Sequence, residues 1–160
     1  MENFIIRPAT PDDVDVIFDL IGQLAVYEKL AHLVTGDAAM LREALFGAHP
    51  ASEVVLVVEA GIPVGFALYY STFSTFLCRK GMHLEDLFVL PEKRGHGYGK
   101  ALLKYVAALA TQRQCGRLEW NVLDWNTPSI AFYDSIGGVC MKEWLLYRMT
   151  HERFSAFAKS

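Results

Sequence analysis

Leu84-Glu85-Asp86-Leu87-Phe88-Val89-Leu90-Pro91-Glu92-Lys93-Arg94-Gly95-His96-Gly97-Tyr98-Gly99-Lys100-Ala101 is the stretch on which the reading of this 160-residue chain turns. Its opening residues favour a strand that stops at Pro91. Beyond the glycines, Ala101, Leu102, Tyr105, Val106 and Leu109 recur at the spacing of an amphipathic helix. With no Cβ at 95, 97 and 99, successive backbone N–H groups can converge on one anion, and the helix dipole adds positive potential there. The segment therefore reads as a pyrophosphate cradle. A Walker A loop would need Gly-Lys-Ser/Thr with another glycine five residues earlier, yet Gly99-Lys100 is followed by Ala101 and position 94 is arginine. A dinucleotide GxGxxG fails in both registers, because its last position falls on Lys100 or Leu102. What does fit is Arg94-x-x-Gly97-x-Gly99.

Working outward, a third strand over Met82 to Val89 follows a hairpin: Glu53 to Ala60, a turn at Gly61-Ile62-Pro63, and Val64 to Thr75. Nearer the start, Phe4-Ile5-Ile6-Arg7 favours a strand. Thr10-Pro11-Asp12-Asp13 carries helix-start chemistry for the stripe Val14, Ile17, Phe18, Ile21, Leu24, Ala25. A shorter helix spans residues 37 to 47. Downstream, Arg117 to Leu123 reads as a strand, and Thr127-Pro128-Ser129 opens a helix expected to stop at Gly137-Gly138. Val139 to Met149 reads as strand again. The order predicts an α/β fold: one domain over residues 1–160, a mixed, mostly antiparallel twisted sheet with helices on both faces.

Composition agrees. At 52% hydrophobic and 12% aromatic residues the chain can bury a core, and its formal net charge of -3 disfavours phosphate backbones and favours small cationic partners. No nucleic-acid partner is expected. Cys78, Cys115 and Cys140 form no CxxC pair, the five histidines lack ligand spacing, and no metal is expected. No uncharged apolar stretch reaches bilayer-spanning length, so the expectation is a cytoplasmic protein without a membrane partner.

The other chemical constellation is Asp124-Trp125-Asn126-Thr127-Pro128-Ser129-Ile130-Ala131-Phe132-Tyr133, where Asn126, Ser129 and Tyr133 share one helical face. Taken alone, Asn126 or Thr127 could simply cap the helix and Tyr133 could pack in the core. Beside the glycine loop, these residues resemble the GNAT superfamily of N-acetyltransferases. That family's acetyl-coenzyme A signature is Gln/Arg-x-x-Gly-x-Gly/Ala, and an Asn-x-x-(Ala/Ser)-x-x-(Phe/Leu)-Tyr run follows on a later helix. Phe4-x-Ile6-Arg7-Pro8-Ala9-Thr10, Leu24-Ala25-x-Tyr27-Glu28, Val64-Gly65-Phe66-Ala67, Leu84-Glu85-Asp86 and Trp144 extend the likeness over nearly the whole chain, toward the spermidine/spermine (diamine) N-acetyltransferase branch.

The resemblance implies acetyl-CoA as co-substrate, held by the backbone of Leu87, Phe88 and Val89, by Arg94, Gly95, His96, Gly97, Tyr98, Gly99 and Lys100, and by Asn126, Ser129 and Tyr133. It makes Tyr133 the acid for the departing thiolate and Glu85 the proton acceptor, acting through water and also binding the amine. Tyr27, Glu28, Glu119, Trp120 and Asn121 match substrate-contacting positions, although residues 119–121 depart in type from the eukaryotic diamine enzymes. After Gly138, Val139-Cys140-Met141-Lys142-Glu143-Trp144 lacks the acidic pair of polyamine-specific relatives, which favours a shorter amine such as a diamine or a lysine-like amino acid, thialysine included. Strand alternation is expected to turn Asp86 away from the face of Glu85. The branch forms homodimers, for which Trp144-Leu145-Leu146-Tyr147 could supply an interface. Acetylation of protein lysines or N-termini, and a non-catalytic acyl-CoA sensor on the same fold, are the competing readings.

Overall fold

The computed structural model describes residues 4–160, which divide into two compact units, 4–121 and 122–160. In the first, strands β1 (Phe4–Pro8), β2 (Glu53–Glu59), β3 (Ile62–Ser74), β4 (Arg79–Val89) and β5 (Leu118–Trp120) form one sheet in the order β1-β2-β3-β4-β5. The first three pairings are antiparallel and β4 pairs with β5 in parallel, as the mixed, mostly antiparallel expectation requires.

Helices α1 (Val14–Tyr27) and α2 (Ala38–Phe46) cover one face. There Ile17, Leu20, Leu24 and Leu45 pack with Val54, Leu56, Val58, Phe66 and Phe88. Helix α3 (Tyr98–Gln112) packs on β3 and β4 and buries Leu102, Leu103 and Val106 against the other face, where the alternate β2 residues Val55 and Val57 are fully buried. Alternation thus explains β2, whose five consecutive valines and leucines serve two cores.

Three expected boundaries move. The hairpin turn is Ala60–Gly61, both at positive φ (49° and 82°), so Glu59 already faces Ile62, and Ile62 and Pro63 belong to β3. Two left-handed central residues match the twist of the flanking strands, whereas a turn through Ile62 would splay them. β5 is three residues long rather than running from Arg117 to Leu123, for a reason that lies in β4 and is given below. Among the described residues 139–149 form no strand; an apolar and aromatic pattern makes a strand only where a ladder partner exists. The chain closes instead on a short helix, α5 (His151–Phe157), which the sequence pattern did not announce.

The entry into α1 is fixed by charge. Asp13, 8% exposed, takes both Arg7 guanidinium nitrogens at 2.7 Å and accepts from the N–H and hydroxyl of Thr10 at 2.7 and 2.9 Å. Hydrogen bonds from Arg7 hold its carboxyl well below the usual carboxylate range. A depressed folded-state pKa contributes stability above the unfolded value, near 4, that fades as pH falls through the folded one. Asp13→Asn is therefore expected to lose about 1–2 kcal/mol in urea unfolding at pH 7, a penalty that shrinks below pH ~4. An equal penalty at pH 7 and pH 2.5 would contradict the pairing.

Candidate active site

The site in the first unit grows from one irregularity. Leu68 pairs with Asp86, but Tyr69 pairs with Leu84, so Glu85 is an extra residue in β4. A β-bulge of this kind breaks the alternation and bends the strand. Before it, Leu84 pairs with Tyr69 on the α3 face; after it, Asp86 pairs with Leu68 and Phe88 with Phe66 on the α1 face. Asp86 is thus not turned away as alternation predicted. It lies among acids: burial, then the charges of Glu85 and Glu28, push its carboxyl up to about 7. Glu28, at the C-cap of α1, is itself raised by burial.

Glu85 stays exposed and has two neighbours that sequence reasoning missed. His83 Nε2 lies 3.6 Å from its carboxylate, and Tyr70 is stacked on His83 at 5.1 Å, its hydroxyl pKa raised by burial and then by the charge of Glu85. Glu119 follows in the same row, since Tyr70 pairs with His83 and His83 with Glu119, but its carboxylate is already engaged by Arg117 at 2.8 Å. Trp120 sits in the next row, opposite Leu84 and Tyr69, on the α3 face; the structure separates it from Glu119. Asn121 lies just past the strand.

The bulge also opens the sheet. β5 pairs with Met82, His83 and Leu84 and stops where β4 bends, which is why it is short. Among the described residues, the β5 side of β4 has no ladder partner from Glu85 to Val89. Leu90 donates to Val64 at 3.0 Å, so the alternating antiparallel pattern turns the polar backbone groups of Leu87 and Val89 toward that open side and those of Phe88 toward β3. The Val89 carbonyl is taken by Arg94 Nε at 3.1 Å; its N–H is available.

Arg94 acts as a tie. Its guanidinium lies 4.3 Å from the Tyr27 ring centre and 5.6 Å from that of Phe88, joining the end of α1 to the loop. Gly95 and Gly97 both have left-handed backbones (φ 80° and 82°), and Gly97 is the N-cap of α3. Gly99 has no such need: a Cβ there would meet only Val89 Cγ2 at 4.0 Å. The side chains of Lys93, His96 and Tyr98 are engaged within the protein. The Tyr98 hydroxyl and Lys93 both bind Glu59, the Tyr98 ring packs edge-on against Phe4 at 4.8 Å, and His96 Nδ1 approaches the Arg94 carbonyl at 2.9 Å. The backbone N–H groups of Tyr98, Gly99 and Lys100, which a first helical turn cannot satisfy internally, remain for an anion.

The second unit contains α4 (Thr127–Ser135). Asn126 is its N-cap, its side-chain oxygen accepting from the Ser129 N–H at 3.4 Å, with Pro128 in the first turn. Ser129 and Tyr133 follow four residues apart on one side of the helix, and Gly137, at φ 87°, ends it where the glycine pair was expected to.

Known proteins share this pattern. The family model described as acetyltransferase (GNAT) family matches residues 23–137. A thialysine N-epsilon-acetyltransferase from Caenorhabditis elegans is 34% identical over 99% of this chain and 99% of its own. An L-ornithine N5-acetyltransferase from Arabidopsis thaliana is 31% identical over 96% of this chain and 87% of its own. Among solved structures, an integron cassette protein from the mobile metagenome of V. cholerae superposes with a TM-score of 0.82 at 28% identity, covering 99% of both chains. With the glycine loop, the opened sheet and these relatives in agreement, the chain belongs to the GNAT family of acetyltransferases.

Proposed function

We propose that this acetyltransferase uses acetyl-CoA to acetylate a primary amine on a small cation: a diamine, a polyamine, or a lysine-like amino acid such as thialysine. The observation that carries the acceptor assignment is the group of Glu28, Glu85 and Asp86 around the bulge, in which one carboxyl is held near neutral pH. Such a group attracts an ammonium and also has room for its proton. The relatives named for thialysine and ornithine support a short amino-acid acceptor.

An alkylammonium with a pKa of ~10.4 must lose a proton before it can attack, at a cost of about 4–5 kcal/mol at pH 7. In this reading Glu85 takes that proton through water while Asp86 and Glu28 hold the cation. The amine nitrogen then attacks the thioester carbonyl, whose oxygen gains charge and accepts the Val89 N–H; the C–S bond breaks and the thiolate takes a proton from Tyr133. The cradle fits the coenzyme pyrophosphate because its donors are backbone groups, and the open edge at Leu87 and Val89 fits an amide-bearing arm laid along it as an added strand. Arg94 and His96 act here by shaping the loop, and Asn126 and Ser129 by fixing the start of the helix that carries Tyr133.

The reading takes all 160 residues as one cytoplasmic acetyltransferase domain that pairs as a homodimer. The near-complete coverage of the chain by its relatives supports the single domain. The test is acetyl-CoA consumption over diamines, polyamines, ornithine, thialysine and lysine peptides. Free diamines or side-chain amines of amino acids should exceed peptides at least ten-fold in kcat/KM, and a preference for peptides would favour protein acetylation. Tyr133→Phe is expected to lower kcat about 10- to 100-fold while acetyl-CoA affinity holds, and unchanged turnover would remove Tyr133 from the acid role.

A further inference from the structure

At the opposite end of α3 from Gly97 lies a second cationic pocket, of about 570 Å³, lined by Arg79, Lys80, Arg113, Gln114 and Cys115. Fifteen helical residues separate the two ends, or about 22 Å at 1.5 Å per residue. The pocket is built from the turn after α3 seated on the start of β4. Gly116 N–H donates to the Lys80 carbonyl at 2.8 Å and Met82 N–H to that of Arg117 at 3.0 Å. A Cβ at Gly116 would come within 2.9 Å of Leu77 Cδ1 and 3.4 Å of Arg79 Cβ, so the turn sits close against Leu77 and Arg79.

A helix C-terminus ordinarily repels anions, but the last carbonyls of α3 are occupied. Leu109, Thr111 and Ala110 accept from the N–H groups of Arg113, Gln114 and Cys115 at 2.9, 3.0 and 2.9 Å. Gln114 takes the left-handed conformation this closure requires, at φ 56°, where glycine is usual. Two nearby cations are spoken for: Arg113 holds Glu53 through two bonds of 2.5 and 2.7 Å, and Arg117 holds Glu119 at 2.8 Å. Among the described residues Arg79 and Lys80 have neither an ion pair nor a side-chain hydrogen bond. Two cations without a counter-ion thus line one cavity in a chain whose net charge is -3.

We propose that this pocket is a second anion site, distinct from the glycine loop, and that it binds a multiply charged phosphate oxyanion, free or carried on a nucleotide. Arg79 and Lys80 supply the charge, and the Arg113 guanidinium, fixed by Glu53, supplies a rigid wall. Cys115 is a reporter already in place. Its alkylation by iodoacetamide, followed by peptide mass spectrometry on the full chain, should slow about six-fold in ~5 mM inorganic pyrophosphate for a Kd of ~1 mM, since protection follows 1 + [L]/Kd. Cys140 is the internal reference, and potassium chloride of equal ionic strength the control.

A parallel arm uses ADP: stronger protection by ADP assigns a nucleotide-borne phosphate, stronger protection by pyrophosphate a free one. Arg79→Gln combined with Lys80→Gln should abolish protection while circular dichroism and acetyl transfer stay at wild-type levels. If that pair fails to fold, Lys80→Gln alone should weaken protection at least two-fold. The proposal is overturned if neither anion shields Cys115, if potassium chloride shields it equally, or if the charge-removed variants keep full protection.

Discussion

Glu85→Gln and Asp86→Asn are each expected to lower kcat/KM for the amine about 100-fold or more, the range that a positioned base commands. The two should differ in their pH profiles. The charge of Glu85 helps to hold Asp86 near 7, after burial, so removing it by Glu85→Gln should shift the acid limb of kcat/KM to lower pH. In Asp86→Asn the group held near neutrality is gone, and the limb it sets should disappear. A merely structural Asp86 would lower activity without moving the limb. If both variants keep the wild-type profile, the carboxylate group around the bulge is not the acceptor site.

Gly97→Val should raise the KM for acetyl-CoA about 100-fold while leaving a folded chain. Space is not the obstacle, because a Cβ at Gly97 meets nothing within 4 Å. The cost is torsional: φ is 82°, and a β-branched residue held there is strained by about 1–3 kcal/mol. The loop relieves that strain by relaxing, and the N–H groups of Tyr98, Gly99 and Lys100 then no longer converge. Gly99→Ala is the matched control, since its backbone is ordinary and its new methyl would touch Val89 Cγ2 at 4.0 Å; a few-fold change is expected. Isothermal titration with CoA reads both variants. Undiminished affinity in Gly97→Val would mean that the anion does not sit on this loop.

The cradle was legible in sequence because its requirements are local. A glycine at a positive φ and a helix start after a proline-terminated strand leave marks within a few residues of one another. Asn126 was legible in the same way, as a cap next to Pro128, and so was the strand order of the hairpin. The bulge was not. Whether Glu85 is an extra residue depends on how β4 registers against Leu68 and Tyr69, about sixteen residues away, and no local propensity encodes that offset. The error about Asp86 follows directly; His83, two residues before Glu85 on the same strand, shares its face by plain alternation and was overlooked, while Tyr70 is brought in only by the pairing of β3 with β4. The length of β5 depended on the same bend, while 139–149 had the composition of a strand without a ladder to join.

One added residue also gives β4 two phases. Met82 and Leu84 are buried at even positions on the α3 face, and Phe88 is buried at an even position on the α1 face, so a fixed alternation could not satisfy both cores. Glu85 is the point at which the strand changes step. Deleting it would close the bulge: Asp86 would follow Leu84 directly, and Leu84 and Leu87 would face α3 while Asp86 and Phe88 face α1 in an unbroken alternation. The carboxylate proposed for chemistry therefore sits on the one residue of β4 that the packing of the two cores does not require: a substitution would remove the carboxylate alone, a deletion the carboxylate and the bend together.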